Sequence, residues 1–261
     1  MNSINYQEED IKIQKRMHKY HFWYIGRSRF IFHIAKIILN EKKKPVTILD
    51  IGGGSGNWAK YLWEKLHHKI QEIAILEPFL TRSLADRYHL PRDIKIIKSD
   101  LFQIKNKCRW DVIFLLDVLE HVRDEKKAIK KISQILKKNG FLIMTVPALK
   151  FFWSQNDQYA GHFRRYSKQD CRNITKGTGL KIVNCRYFMF FLSLFLWITR
   201  KLIFKRKMTN KTLNNRVKIQ YLKHNVLFNK VCTYVFNLET PIGHYINFPW
   251  GTSVLAVYKK I

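Results

Sequence analysis

Apolar positions from residue 46 onward follow two alternating periods. Short runs rich in β-branched residues alternate with amphipathic stretches whose apolar residues recur every three or four positions. A parallel sheet with helices on both faces produces this alternation, because its strands are buried on both sides and its helices on one. The pattern therefore predicts seven strands, over 46–50, 73–77, 94–98, 111–116, 141–146, 180–187 and 253–258.

Helices are predicted between these strands, over 56–67, 80–88, 124–138 and 167–176. The third begins with Asp124 in its first turn and ends at Lys137 beside Gly140, as the helix dipole and the preference for a terminal glycine favour. Ser167 is the predicted cap of the fourth. Residues 151–166 show no clear period and are predicted to form an active-site loop.

Two segments fall outside this alternation. Residues 1–44 are predicted to form a helical arm, with an apolar helix over 30–39. About sixty residues separate the last two strands, far more than an ordinary connection, and form an insertion. We therefore predict an α/β, Rossmann-like, seven-stranded and mostly parallel sheet with flanking helices. Its parts are the arm over 1–44, a core over 45–187, the insertion over 188–250 and the last strand within 251–261.

The chain is strongly basic, and its acidic residues are unevenly spread. Forty-eight Lys and Arg against 19 Asp and Glu give a net charge of +29. No acid lies between Asp170 and Glu239, an interval that holds fourteen Lys or Arg. Nucleic acid, an anionic membrane surface and a phosphorylated lipid would all satisfy such a charge, and a Lys-rich proteome would also explain it.

The insertion opens with an apolar run over 188–198, followed by Arg200, Lys201 and the basic run 205–207. Eleven residues are too few to span a bilayer, where about 20 are needed. The run either lies in the interface of an anionic membrane or packs as a buried helix against the substrate pocket. Both interpretations favour an apolar or lipid-linked substrate.

The N-terminus and the cysteines indicate the compartment. Residues 1–10 are polar and acidic, unlike a signal peptide. The spacings of Cys108, Cys171, Cys185 and Cys232 fit neither a zinc site nor a redox pair. We predict isolated thiols, no metal, and a cytoplasmic protein that is peripheral on a membrane if the insertion binds one.

A glycine-rich turn follows the first predicted strand. Gly52, Gly54 and Gly56 stand where the strand turns into a helix, and Asp50 precedes them. The spacing is GxGxG, and Asn57 replaces the third glycine of the dinucleotide fingerprint. This favours S-adenosylmethionine over NAD, and the absence of a following Gly-Lys-Ser/Thr disfavours a phosphate loop.

Acidic residues also follow the next strands. Glu77 ends the second strand, where a carboxylate can accept both ribose hydroxyls of an adenosine. Asp100 follows the third strand and is predicted to reach the adenine amino group, with Leu101 as an apolar contact. A single acid at a strand end is more often a helix cap, but this series in register is harder to explain that way.

These motifs resemble those of class I S-adenosylmethionine-dependent methyltransferases. The likeness rests on the segments 50–56 (DIGGGSG), Glu77-Pro78, Ser99-Asp100 and 111–122 (DVIFLLDVLEHV), and is nearest to the small-molecule and quinone O-methyltransferase-like group. The segments 21–27 (HFWYIGR) and 161–166 (GHFRRY) are similar to bacterial members of that group. The chain departs from the family at Gly53, which is commonly Cys or Ala, without expected harm.

The resemblance implies a sheet whose last strand is antiparallel and a cofactor bound along strands one to four. Trp23 and Arg27 would close over its methionine end, unless the arm is merely anchored by aromatic residues. The implied S-adenosylmethionine-binding residues are Asp50, Gly52, Gly54, Gly56, Asn57, Glu77, Pro78, Asp100, Leu101, Asp117 and Arg27.

Acceptor chemistry is expected after the fourth and fifth strands. His121 and His162 are candidate catalytic bases, and Glu120, Arg164, Arg165 and Tyr166 are candidate acceptor ligands. The alternatives are a locally paired Glu120, a His121 packed under its loop, and a solvated basic loop over 161–166.

The sequence predicts methyl transfer to an oxygen of a small-molecule or lipid-linked acceptor. The Asn/Asp-Pro-Pro-Tyr motif of amino-methyltransferases acting on bases is absent, as is the Pro-Cys signature of cytosine C5 enzymes, so nucleic acid is the less favoured partner. Two alternatives stay open, an RNA methyltransferase that uses the basic surface and a non-catalytic membrane adaptor.

Overall fold

The structure, a computed structural model, describes residues 17, 20–105, 108–193 and 226–261. Its described residues form a seven-stranded sheet of order β3-β2-β1-β4-β5-β7-β6, in which β7 runs antiparallel to both of its neighbours. The predicted fold class is therefore confirmed. The strands are β1 Val46–Ile51, β2 Ile70–Leu76, β3 Ile94–Ile97, β4 Trp110–Leu116, β5 Leu136–Pro147, β6 Leu180–Phe188 and β7 Ser253–Lys260.

Helices cover both faces of the sheet, and successive strand residues point into two apolar layers. Ile48 packs in the layer shared with α1, α2 and α7, whereas Leu49 packs in the layer shared with α4 and α6. This is why the strands lack a polar face. The helices are α1 Phe22–Glu41, α2 Asn57–Leu66, α3 Arg82–Arg87, α4 Glu125–Ile135, α5 Gln155–Tyr159, α6 Lys168–Asn173 and α7 Val226–Tyr245.

The predicted C-terminal boundary of the third helix is wrong. Helix α4 ends at Ile135, and Leu136 already pairs with Trp110 of β4. Lys137 forms an ion pair with Asp111 (Nζ to Oδ2, 2.8 Å). A Cβ on Gly140 would lie 2.8 Å from the Lys137 carbonyl oxygen, so this glycine permits a close approach within β5 and does not end a helix. Strand pairing and the ion pair thus override the local helix signal.

The arm and the end of the insertion form a helix pair. Helix α1 is longer than the predicted 30–39 and packs along α7, where Gly26 leaves room for the Phe236 ring. At its start, the Phe22 amide donates to the side chain of Asn229 (2.9 Å). The two segments that fell outside the strand-and-helix alternation therefore pack together on one face of the sheet.

Most of the apolar and basic run of the insertion lies outside the described residues. Residues 194–198, Arg200, Lys201 and 205–207 belong to this undescribed part. The beginning is anchored, since the buried Glu239 carboxylate of α7 accepts hydrogen bonds from the Phe190 and Phe191 amides (2.9 and 3.0 Å). Among the helices that the structure describes, none has the length and hydropathy to cross a bilayer.

Candidate active site

The carboxyl ends of the parallel strands meet along one side of the sheet, called here the carboxyl edge. The glycine turn follows β1, Glu77 follows β2, Asp100 follows β3 and Asp117 follows β4. Since parallel strands all end on the same side, residues far apart in sequence become neighbours there. The fold therefore brings the predicted cofactor residues to a common edge.

The glycine turn has a backbone that only glycine adopts without strain. Gly52, Gly54 and Gly56 have φ values of 68°, 54° and 77°. A Cβ on Gly52 would also lie 2.5 Å from a methyl group of Val118, in the loop after β4. The turn is thus fitted against the next loop and leaves its backbone accessible to a ligand.

Asp50 lies beneath this turn, and burial dominates its behaviour. Burial raises the pKa of this carboxyl to about 7, although Arg27 opposes the shift. Its Oδ2 atom has no hydrogen-bond partner among the described residues. A Cβ on Gly53 would lie 2.6 Å from that oxygen, so the glycine found at this position leaves the space that Asp50 occupies.

Glu77 is folded inward onto the turn. It accepts hydrogen bonds from the amides of Gly54 (3.1 Å) and Phe79 (3.4 Å). Burial raises its pKa, and the two amides oppose that shift. Pro78 follows it and is partly exposed, and the side-chain amide of Asn57 donates to Ser55 Oγ (2.6 Å). Glu77 is therefore oriented at the rim of the turn.

Asp100 and Leu101 occupy the predicted place after β3. The Asp100 carboxylate accepts from the Phe102 amide (2.8 Å) and starts a short helical turn that buries Leu101. Asp100 thus serves as a local cap while remaining partly exposed at the carboxyl edge. The cap and the predicted adenine contact are compatible, because a carboxylate offers about four acceptor positions.

Arg27 connects the arm to the carboxyl edge. This buried guanidinium, 4.8 Å from the centre of the Trp23 ring, forms an ion pair with Asp117. Asp117 itself has a φ of 56°, and its amide donates to the Thr145 carbonyl (2.9 Å). The structure therefore brings Arg27 to the site, as the resemblance implies.

A polar cluster lies beside Asp117, where the acceptor is expected. Glu120 is fully buried, and neither of its carboxylate oxygens has a hydrogen-bond partner in the described chain. Burial and the nearby Asp117 raise its pKa. His162 Nε2 lies 3.9 Å from Glu120 Oε1, and the ring centres of His121 and His162 are 4.8 Å apart. The His121 side chain is exposed on its outer side, but its inner side is desolvated, and this desolvation together with His162 lowers its pKa to about 4.

Asp157 completes this cluster, although it was not among the predicted site residues. Its Oδ1 lies 3.0 Å from His162 Nδ1, and Arg165 binds both of its oxygens (2.7 and 3.0 Å). Burial alone would raise the pKa of Asp157, but His162 and Arg165 outweigh it and hold that pKa well below its usual range. Ser154 and Asp157 form a capping box at α5, a pattern visible in sequence.

The three predicted acceptor ligands of the loop make contacts within the protein. Arg165 binds Asp157, whereas Arg164 Nη1 and the Tyr166 hydroxyl both contact Glu125 Oε2, at 3.0 and 2.7 Å. Tyr166 is buried. Of this loop, the structure brings His162 to Glu120 and His121, and binding of an acceptor by Arg164, Arg165 and Tyr166 stays a prediction.

The donor and acceptor groups of the carboxyl edge fit S-adenosylmethionine. Arg27 Nε, Asp50 Oδ2 and both Glu120 oxygens are buried polar atoms without a hydrogen-bond partner in the described part of the chain. Such groups are rare in folded proteins unless a ligand or water satisfies them. Carboxylates also favour a cationic sulfonium.

The same edge brings together three side chains of a kind that can bind a metal ion. One ligand atom from each of Glu120, His121 and His162 lies within 4.8 Å of the other two.

Comparisons with known proteins agree with this geometry. Residues 22–184 match the family model described as a methyltransferase domain. Over 167 residues the chain is 26% identical to the ubiquinone biosynthesis O-methyltransferase of Pelagibacter ubique, covering 55% of this chain and 65% of that relative.

Two solved structures share the fold. A chain of the Haloferax volcanii complex of the Trm112 methyltransferase activator with a methyltransferase has a TM-score of 0.59 at 15% identity, over 97% of this chain and 95% of that one. The N-methyltransferase NodS of Bradyrhizobium japonicum, solved with S-adenosyl-L-homocysteine, has a TM-score of 0.53 at 14% identity, over 94% and 90%. With the family match, these findings show that the chain belongs to the S-adenosylmethionine-dependent methyltransferases of class I.

Proposed function

We propose that this chain transfers the methyl group of S-adenosylmethionine to a hydroxyl oxygen of a small or lipid-linked acceptor. The observation that carries the proposal is the pairing of His162 with the buried Asp157, beside a buried Glu120 whose carboxylate accepts no hydrogen bond from the described residues. A hydroxyl must lose its proton as it attacks, so an oriented imidazole at the acceptor side is what such a reaction needs.

The cofactor, when bound, supplies an electrophilic methyl group on a positively charged sulfur. Glu77 would hold the ribose hydroxyls, Asp100 and Leu101 the adenine, and Asp50 and Arg27 the charged groups of the methionine part. Because its glycines lack a Cβ, the turn would let the cofactor come as close to the backbone as these contacts require. The remaining task of the protein is to hold the acceptor oxygen in line with the methyl carbon.

His162 is the proposed base of the reaction. Because Asp157 Oδ1 faces Nδ1, the neutral imidazole carries its proton on Nδ1 and presents Nε2 as the acceptor. That Nε2 atom takes the hydroxyl proton on the side facing Glu120. Asp157 is a positioning residue, held in turn by Arg165. General base catalysis of this kind contributes about 10²–10⁴-fold to a rate.

Apolar side chains near this cluster favour a hydrophobic acceptor. Phe151, Trp153 and Phe163 of the loop after β5 are large apolar residues with exposed rings. The similarity to a ubiquinone biosynthesis O-methyltransferase supports an aromatic hydroxyl on a lipid-like molecule. We further propose that the basic chain works at an anionic membrane surface on the cytoplasmic side, because a lipid-linked acceptor would be held in that surface.

Incubation of the protein with methyl-labelled S-adenosylmethionine and fractionated cell extract tests this proposal. Label should enter the lipid or small-molecule fraction. Label in RNA would instead support the RNA methyltransferase, and no incorporation with intact cofactor binding would support the non-catalytic member.

A pair of histidine variants tests the base. His162→Ala should lower the turnover of the labelled acceptor about 100-fold or more while the affinity for S-adenosylmethionine stays unchanged. His68→Ala, an exposed histidine next to α2, is the matched control and should behave as wild type. Equal turnover of the His162→Ala variant and the wild type would remove His162 from the mechanism.

A further inference from the structure

Helix α7 carries a continuous row of exposed apolar residues, called here the apolar stripe. Its members are Leu227, Val231, Tyr234, Leu238, Ile242 and Tyr245. They recur every three or four positions and therefore lie along one side of the helix. The buried residues of α7, among them Cys232 and Phe236, follow the same spacing on a different side, against α1 and β6.

The charges around the stripe have one sign. Arg29 of α1, which donates to Asn237 of α7, and Lys230 of α7 are exposed cations, and the single acid of α7, Glu239, is buried and accepts hydrogen bonds from backbone amides. In sequence, no acid occurs between Asp170 and Glu239. An apolar row flanked by cations, on a helix that itself exposes no carboxylate, complements the headgroups of an anionic bilayer; the exposed Glu41 stands at the far end of α1.

The stripe begins beside the proposed active site. Asn229, in the first turn of α7, contacts the amide of Phe22, and Arg27 lies little more than one helical turn further along α1, in its ion pair with Asp117. Phe191, whose amide donates to Glu239 of α7, and Trp250, five residues after the end of α7, also expose apolar rings. The first turn of α7 thus lies close to the side of the sheet where the acceptor would enter.

We infer that the apolar stripe of α7 lies in the headgroup region of an anionic lipid bilayer, with the carboxyl edge turned toward the membrane. The inference deepens the proposed function, since it rests on a lipid-linked acceptor that enters from the bilayer. It relocates membrane contact from the run 188–207, predicted from sequence, to a helix that the structure describes along its whole length. Exposed apolar rows of this size are otherwise unfavourable on a monomer.

Co-sedimentation with lipid vesicles tests the inference. The probe is a sucrose-loaded vesicle of equal parts phosphatidylglycerol and phosphatidylcholine, compared with phosphatidylcholine alone. The wild type should sediment with the anionic vesicles and much less with the neutral ones. Val231→Ser/Leu238→Ser should lower the partition coefficient for anionic vesicles at least tenfold, because two side chains no longer enter the interface.

The control is a double variant of equal chemistry elsewhere on the surface. Val183→Ser/Ile261→Ser replaces two aliphatic residues that are 53% and 72% exposed, against 53% and 52% for Val231 and Leu238. It should bind vesicles as the wild type does. Equal binding of both double variants, or no binding by the wild type, would overturn the inference.

Other occupants of the stripe give different results. If a second copy covers it, light scattering would show a wild-type dimer and a Val231→Ser/Leu238→Ser monomer, without vesicle binding. If residues of the same chain cover it, that variant would lose thermal stability while vesicle binding stayed the same. S-adenosylmethionine binding, measured on every variant, separates a failure of docking from a failure of the proposed methyl transfer.

Discussion

The carboxyl edge and helix α7 differ in charge although both belong to a strongly basic chain. Five acids gather at the ends of consecutive strands and the loop that follows them, with Arg27 paired among them: Asp50, Glu77, Asp100, Asp117 and Glu120. Around α7, by contrast, the single acid is buried and the exposed side chains are apolar or basic. A sulfonium cofactor needs negative charge and an anionic surface needs positive charge, so the two regions are suited to opposite ligands.

The largest expected effect concerns the buried ion pair that supports the carboxyl edge. Asp157→Asn leaves Arg165 buried without its partner and should lower the free energy of unfolding by about 3 kcal/mol, measured by chemical denaturation near neutral pH. Asp86→Asn breaks an exposed pair with Arg82 and should change it by less than about 0.5 kcal/mol. Equal losses would show that the Asp157 pair contributes no more than a surface contact.

The Asp157 effect has a defined pH dependence. Its pKa is held below the value of about 4 that Asp has in the unfolded chain. The stabilisation is therefore fully present above about pH 4 and is lost as the pH falls below that value. The gap between wild type and Asp157→Asn should therefore narrow on acidification. A constant gap down to pH 2 would contradict the cause given for the shift.

Next in size is the loss of cofactor affinity on removal of Glu77. Two hydrogen bonds to a charged group are worth about 3 kcal/mol, so Glu77→Ala should raise the dissociation constant for S-adenosylmethionine about 100-fold in equilibrium dialysis. Glu64→Ala, an exposed acid of α2, should leave it unchanged. If the two variants bound S-adenosylmethionine with similar affinity, the Glu77 carboxylate would not contribute to cofactor binding.

Replacing Asp50 should raise the stability of the protein and lower its affinity for the cofactor. Because burial raises its pKa to about 7, its contribution to stability is present below pH 4 and is lost as the pH rises through 7. Without cofactor, Asp50→Asn should be more stable than the wild type at pH 8, because Asn has no charge to bury, yet it should bind S-adenosylmethionine more weakly. An unchanged pH dependence of unfolding between pH 4 and 8 would exclude this explanation.

The smallest expected effect comes from Glu239, the buried acid of α7. Glu239→Gln keeps one acceptor oxygen for the Phe190 and Phe191 amides and leaves the other amide without its partner. This loss should outweigh the relief of removing a buried charge, whose pKa burial raises, and cost about 1 kcal/mol in chemical unfolding. Glu41→Gln, exposed at the end of α1, should cost nothing measurable. A loss of unfolding free energy as large as that of Asp157→Asn would show that α7 depends on its buried carboxylate as much as the carboxyl edge depends on Asp157.

Local signals in the sequence were sufficient to predict the sheet and the position of the glycine turn. Strand periodicity, the spacing of Gly52, Gly54 and Gly56, and acids at successive strand ends are short-range features, and parallel strand order places them at a common edge. The prediction of the end of α4 was wrong because Leu136 pairs with Trp110, which belongs to another strand. Local helix signals carry no information about such pairing.

The sequence by itself determined the fold class, the glycine turn and the series of acids that follow the strands, because each depends on residues close together in the chain. The tertiary structure decided that Asp157 supports His162, that Arg164 and Tyr166 both reach Glu125, and that α1 packs on α7. These contacts join residues that no periodicity relates, or depend on how a loop folds. Such contacts are set by packing in three dimensions, which a linear pattern does not encode.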